Sequence, residues 1–204
     1  METAMARINS TGFWLLLPVT LLFLMQGATA AEDLRKLTDD ARTAAKRLIE
    51  QTRTELTREL ERSGPARAVT VCKFSVPELA SSISRQTGMR VTRVSLRPRN
   101  RALGEADPWE QRILLDFEKR LAKGENPETL EISEIMDEPV GKTFRYMKAL
   151  IIGKPCMGCH GSTSDLSEGV KIQLANEYPF DRGTDYQLGQ IRGAISVKRS
   201  LQGP

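Results

Sequence analysis

Residues 129–152 read TLEISEIMDEPVGKTFRYMKALII, and on them the fold class turns. Thr129 to Met136 and Lys142 to Ile152 read as two strands parted by a turn around Glu138-Pro139. So short a connection joins antiparallel neighbours, because a parallel pair needs a crossover of about a dozen residues or more. Upstream, Asp107-Pro108-Trp109-Glu110 is a helix start: an aspartate to cap, a proline in the first turn, and a glutamate placed to close a capping box. That helix runs to about Lys123, with Trp109, Ile113, Phe117 and Leu121 on one stripe, and Gly124 ends it. Val91 to Leu96 alternates like a strand, and Arg97 to Asp107 is a loop rich in Pro, Arg, Asn and Gly. Farther out, Ala31 to Arg62 is a long amphipathic helix stopped at Gly64-Pro65, and Ala66 to Thr87 is helical with a division at Pro77. On the C-terminal side, Leu166 to Tyr178 reads as a helix, Asp181 to Gly189 as a loop, and Ile191 to Arg199 as the last strand. The expected layout is α+β, an antiparallel sheet with helices packed beside it and a long N-terminal helix.

Directly after the hairpin stands Cys156-Met157-Gly158-Cys159-His160, a C-x-x-C-H sequence, the attachment signal of c-type haem. Two thiols add across the two vinyl groups of the porphyrin, and a two-residue spacer lets both sulfurs reach from one short turn. The histidine that follows is carried under the ring, where its imidazole ligates the iron. Gly158 lets the backbone turn tightly against the macrocycle. His160 is the only histidine in the chain, and it falls in the required place. Composition alone would produce the pattern on the order of once in several thousand such chains. The expectation is one covalent haem c on Cys156 and Cys159, with iron held by His160.

Two other chemistries use the same residues. Cys156 and Cys159 could form a thioredoxin-type redox disulfide, but that motif belongs at a strand–helix junction of a βαβ unit, and no βαβ pattern is present. Cys72, Cys156, Cys159 and His160 have the composition of a Cys₃His zinc set, but placing the adjacent Cys159 and His160 on one small ion strains the backbone.

The compartment agrees with haem attachment, which takes place outside the cytoplasm. Arg7 precedes an apolar run from Phe13 to Met25, and Ala28-Thr29-Ala30 supplies small residues for signal peptidase. The run is shorter than the roughly 20 residues of a comfortable span, and Pro18 interrupts it. Residues 1–30 are therefore expected to be a cleaved signal peptide, leaving an amphipathic helix over 31–64 and the haem-binding domain over 65–204. The chain is then periplasmic; an uncleaved membrane anchor is the alternative. Basic and acidic residues alternate along most of the chain and leave a net charge of only +4, so no nucleic-acid footprint is expected. The helix Ala31–Arg62 packs on its own domain or pairs with a partner chain, a second copy included.

With no second histidine, the residues leave the other axial position open between Cys72, Met89, Met136, Met147 and no protein ligand. A methionine would raise the reduction potential and a thiolate would lower it. Cys72, between Val71 and Phe74, reads equally as an inert core thiol.

Several spaced blocks add a resemblance. They are Ala68-Val69-Thr70-Val71-Cys72, Arg93-Val94-Ser95-Leu96-Arg97-Pro98-Arg99-Asn100, Trp109-Glu110, Cys156 to Gly161, Tyr178-Pro179-Phe180-Asp181, and Gly189 to Val197. Over roughly Ala66 to Lys198 the chain resembles a family of secreted bacterial haem-c domains with a PAS-like fold. That family was long catalogued as a domain of unknown function, and it occurs as free proteins and as sensory parts of signalling receptors. The resemblance implies a PAS-like antiparallel sheet covered by helices, with Cys72 and His160 as the two axial ligands. Arg93, Arg97 and Arg99 would then approach the haem propionates, because guanidinium forks suit carboxylates; the plainer reading of these arginines is a solvated basic loop. The chain departs from the family at Asp185, where a glycine commonly precedes the tyrosine, here Tyr186.

Iron with two protein ligands has no free position for oxygen chemistry, so a peroxidase or oxygenase is not expected. Two roles remain: redox or gas sensing, with nitric oxide or carbon monoxide as ligands and a separate signalling partner, and low-potential electron transfer to a redox partner. A haem-stabilised interaction domain is a third.

Overall fold

The computed structural model describes residues 17–201. The chain divides into two compact units, Met1–Leu37 and Thr38–Pro204. In the first, the described residues belong to helix α1 (Leu17–Thr70), which continues into the second. The first half of the expected signal peptide lies outside the described residues. No helix among the described residues is long and apolar enough to cross a membrane.

In the second unit α1 runs farther than its sequence predicts. Gly64-Pro65 kinks the helix instead of ending it. Gly64 sits at φ 78, ψ 176, off the helical path. Pro65 then restarts the helix, since its fixed φ and missing N–H suit a first turn. A π-helical turn follows over Val71–Ser75, in which the Val76 N–H reaches back to the Val71 carbonyl. Pro77 explains it: a proline has no N–H for the Lys73 carbonyl and its ring crowds that carbonyl, so the helix widens by one residue before α2 (Val76–Thr87). Gly88, at φ 66, ends α2 in a left-handed cap.

Strand β1 (Arg90–Val94) ends two residues before the expected Leu96. There the Ser95 hydroxyl accepts from the Arg97 N–H, and the Ser95 N–H donates to the Gly104 carbonyl, turning the chain out of the sheet. The expected loop holds a short helix α3 (Arg101–Gly104), capped by the Asn100 side chain. Helix α4 (Pro108–Ala122) has the expected capping box: the Glu110 N–H donates to Asp107 Oδ1 at 2.9 Å, and the Asp107 N–H donates to Glu110 Oε2 at 2.8 Å.

Strands β2 (Glu131–Glu138) and β3 (Gly141–Ile151) form the expected hairpin, closing with Glu138 opposite Gly141. After β3 come one helical turn, α5 (Met157–His160), then α6 (Glu168–Glu177) and β4 (Ile191–Ser200). The sheet order is β1-β4-β3-β2, with every neighbouring pair antiparallel. The architecture is α+β.

Alternation assigns the faces. Met147 and Ala149 of β3 and Ala194 of β4 share a core with Trp109, Ile113, Leu114 and Phe117 of α4. Phe144, Tyr146, Ile195 and Val197 point to the opposite face and are fully buried. On that side α1 buries Ala41, Ala44, Ala45 and Leu48. It is tied to β2 by Arg42 to Glu131 at 2.6 Å and by the Thr38 and Ser133 hydroxyls at 2.9 Å. Residues Val91 and Arg93 of β1 pair with Val197 and Ile195 and so share this second face, where the functional residues gather.

Candidate functional site

The motif Cys156–His160 leaves β3 through a 3-10 turn (Lys154–Cys156) and forms α5. Cys156, Cys159 and Cys72 are all free thiols and half-buried. With His160 they line one cavity of about 450 Å³, whose walls include Leu56 and Leu60 of α1, Val69, and Ile195 of β4. Ligand cavities of this kind span about 300–1,000 Å³. An adjoining cavity of about 370 Å³ reaches between α2, β1 and α3, and Cys72, Arg93, Arg99, Leu150, His160 and Arg192 belong to the walls of both.

His160 is prepared as a ligand. Its Nδ1 lies 2.6 Å from the Gly183 carbonyl oxygen. A carbonyl only accepts, so Nδ1 carries the hydrogen and Nε2 keeps a free lone pair for a metal. The 3.2 Å approach of Arg192 Nε to the same Nδ1 is then a contact between two N–H groups and not a hydrogen bond. Burial pushes the imidazole well below its usual pKa, and the charges of Arg99 and Arg192 push it the same way. The ring is therefore neutral, the form that binds metals. Burial also pushes the Cys159 thiol up, with Cys72 and Cys156 close enough to act on it electrostatically.

The motif is strapped to the loop before β4. The Asp185 N–H donates to the Gly161 carbonyl at 2.8 Å and the Tyr186 N–H to the His160 carbonyl at 2.9 Å. Asp185 takes φ 58, the left-handed region where glycine is at ease. Aspartate holds this geometry because its carboxylate accepts from the Thr163 N–H at 2.8 Å and from the Thr163 and Thr184 hydroxyls.

The three arginines of the β1 region part company. Arg93 lines both cavities, and its side chain has no hydrogen-bond or ion-pair partner among the described residues. Arg99 also lines both, but its fork is engaged: Nε meets Asp181 at 2.9 Å, and Nη2 donates to the Cys159 and Gly183 carbonyls. It braces the motif against the 181–186 loop. Arg97 lies outside both cavity walls, donates to the Arg182 and Thr184 carbonyls, and stacks on the Tyr186 ring.

The sulfur candidates separate as clearly. Met147 is in the α4-side core and Met136 packs against it, on the far face of the sheet. Met89 is buried and lines neither cavity. Of those candidates Cys72 alone lines the cavity with His160, and it does so from the π-helical turn, a distortion frequent at functional sites. Among the described residues no group of three or more His, Cys, Asp or Glu side chains could hold a metal ion, so the Cys₃His zinc set does not assemble. The sheet contains no βαβ unit to carry a thioredoxin-type pair.

Asp181 and Arg192 stand in blocks that carry the resemblance, but the sequence assigns neither of them a role at the site. The available signal was that Arg192 stands in the apolar first half of β4, away from Lys198 and Arg199 at its end.

Three comparisons bear on this arrangement. Among curated proteins none matches the chain. Among solved structures, the crystal structure of the cyanobacterial heme-protein Tll0287 superposes with a TM-score of 0.60 at 20% identity, covering 85% of this chain and 98% of that one. At that identity the likeness is one of fold. The model of the Tll0287-like family matches residues 31–200, so it includes the helix upstream of Ala66 as well as every block around the cavity. The chain belongs to the Tll0287-like family.

Proposed function

We propose that this chain is an exported mono-haem c-type cytochrome, with haem attached through Cys156 and Cys159, ligated by His160 and Cys72, and used for redox or gas sensing. The observation that carries the reading is the convergence of all three cysteines and the sole histidine on one cavity. Haem binding by the structural neighbour, named as a heme-protein, supports it.

The residues present fit the group. An apolar wall from Leu56, Leu60, Val69 and Ile195 suits a macrocycle. His160 offers a neutral imidazole in the ligating tautomer, held by a carbonyl as metal-bound histidines usually are. Gly158 is helical, a β-carbon there would meet nothing within 4 Å, and no protein atom requires a glycine; a ring stacked on this turn would. Arg93, the arginine left without a partner, takes a propionate, while Arg99 braces the motif and Arg97 the loop. Bound haem supplies a one-electron iron couple. The protein's residues attach and orient it, keep the imidazole neutral and exclude water from its apolar face. Were His160 and Cys72 both to hold the iron, no position would be left for substrate, and we read the chain as non-catalytic. Its place is the periplasm, free or held by its N-terminal segment, with a redox or signalling protein as partner.

The same coordination also serves a low-potential electron carrier, the reading favoured by an iron with no vacant position. Carbon monoxide added to the dithionite-reduced protein separates the two. Sensing predicts rapid binding, seen as a shifted Soret band, with loss of the Cys72 bond. Inertness toward carbon monoxide together with fast electron exchange at an electrode would overturn sensing in favour of transfer.

A further inference from the structure

Arg192 lies half-buried beside His160, and its surroundings are unusual for a cation. Its Nη1 donates to the Ser95 hydroxyl at 2.9 Å and to the Arg97 carbonyl at 3.1 Å, and its guanidinium sits 5.2 Å from the centre of the Tyr186 ring. Every one of these partners is neutral. Among the described residues no carboxylate is within salt-bridge distance of it; the nearby Asp181 is committed to Arg99 at 2.9 Å. A guanidinium keeps its charge at neutral pH. Withdrawing a cation even partly from water without an anion to meet it has a cost that a neutral side chain would avoid.

Its placement gives the charge a use. Arg192 Nε stands 3.2 Å from His160 Nδ1, on the side of the ring that holds the hydrogen. A β-carbon on Gly183 would come within 2.6 Å of Arg192 Nη2, so the glycine that supplies the carbonyl for His160 also leaves room for the guanidinium. Imidazole, carbonyl and guanidinium are thus packed as one unit.

We infer that Arg192 is a positioning residue of the haem centre, one that presses an uncompensated positive charge on the His160 ligand and so favours the reduced iron. A thiolate ligand pushes electron density onto iron and favours the oxidised state. Arg192 offsets that push from the opposite ligand, poising the couple higher than the ligand pair alone would set it. The inference rests on haem attachment at Cys156 and Cys159.

The test is spectroelectrochemistry on the exported holoprotein and on Arg192→Gln, Arg192→Lys and Gly183→Ala, each first checked for haem that stays with the chain on a denaturing gel. Haem on the gel tests the attachment reading separately; its absence from the wild-type chain would sink that reading and this one with it. For Arg192→Gln the ratio of reduced to oxidised protein at a fixed potential is expected to fall about tenfold, a shift of about 59 mV for one electron. Arg192→Lys, which keeps the charge, should stay within about threefold of wild type. Gly183→Ala keeps the arginine but displaces it, and should move the ratio in the same direction as Arg192→Gln; it carries the test if Arg192→Gln does not fold. An unchanged ratio in Arg192→Gln, or a Lys variant that falls as far as the Gln variant, would overturn the inference, the latter by showing that the fork matters and the charge does not.

Discussion

Cys72→Ala, made in the exported holoprotein, is expected to keep its covalent haem and lose its low-spin ferric spectrum. In the proposed reading attachment depends on Cys156, at the end of the 3-10 turn, and Cys159, on α5, while Cys72 reaches the cavity from the π-helical turn that joins α1 to α2. On the proposed ligation, removing its sulfur takes away a ligand without touching the thioether sites. The half-buried position makes the packing cost small, about 1 kcal/mol, so the fold survives. Loss of a thiolate removes its push of electron density onto iron, and the reduction potential should rise by at least about 59 mV, a tenfold change in the reduced-to-oxidised ratio. The vacated position should also bind carbon monoxide at once on reduction. A low-spin ferric spectrum identical to wild type would show that Cys72 is an inert thiol, with some other group on the iron.

The largest effect on the fold itself is expected at Gly193. A β-carbon there would lie 2.2 Å from the Val94 carbonyl oxygen and 3.2 Å from the Ser95 β-carbon. The first neighbour is backbone in the adjacent strand, where Val94 pairs with Ala194, and cannot swing aside as a side-chain tip can. On its other side Gly193 pairs with Leu150, where a bulge shifts the register before Ile151. β1 and β4 would have to part beside the cavity of about 370 Å³, whose wall includes Val94, Ser95 and Gly193. Gly193→Ala should cost about 3 kcal/mol in urea unfolding, the upper end for overpacked sites, and should lower haem occupancy. Wild-type stability in this variant would mean that the strands tolerate separation there.

Much of the architecture was legible because its signals are local. The capping box at Asp107-Pro108-Trp109-Glu110, the left-handed stop at Gly88 and the hairpin around Pro139 each depend on a few neighbouring residues, and each stands where the sequence places it. The misreadings were at sites where a local rule has two outcomes. Gly64-Pro65 can end a helix or kink it, and the apolar stripe of α1 packed on the sheet decides for a kink. Pro77 announced a break but not a π-helical turn, which depends on how the widened turn seats against its surroundings.

The site divided along the same line. Cys156, Cys159 and His160 stand close together in sequence, so their place on one cavity could be read directly. The arginines could not be sorted, because Arg93, Arg97 and Arg99 alternate along one short segment and differ only in which distant groups they meet: a cavity, the 182–184 carbonyls, and Asp181. Asp107 was legible as a helix cap but not as an ion partner of Arg145 and Lys198 from two other strands. Burial, the largest influence, pushes its carboxyl up, yet hydrogen bonds from Lys198, the Glu110 N–H and Arg145 bring it down to about 2. Contacts of this kind belong to the folded chain and leave no mark on local pattern.

The central claim is covalent haem on Cys156 and Cys159, and its most direct measurement is an absorption spectrum taken before and after acid-acetone extraction of the exported protein. A strong Soret band that stays with the protein through extraction is the predicted result, and it should be absent when both cysteines are replaced by serine. A protein with no Soret band, or one whose haem passes wholly into the acetone, would contradict the account.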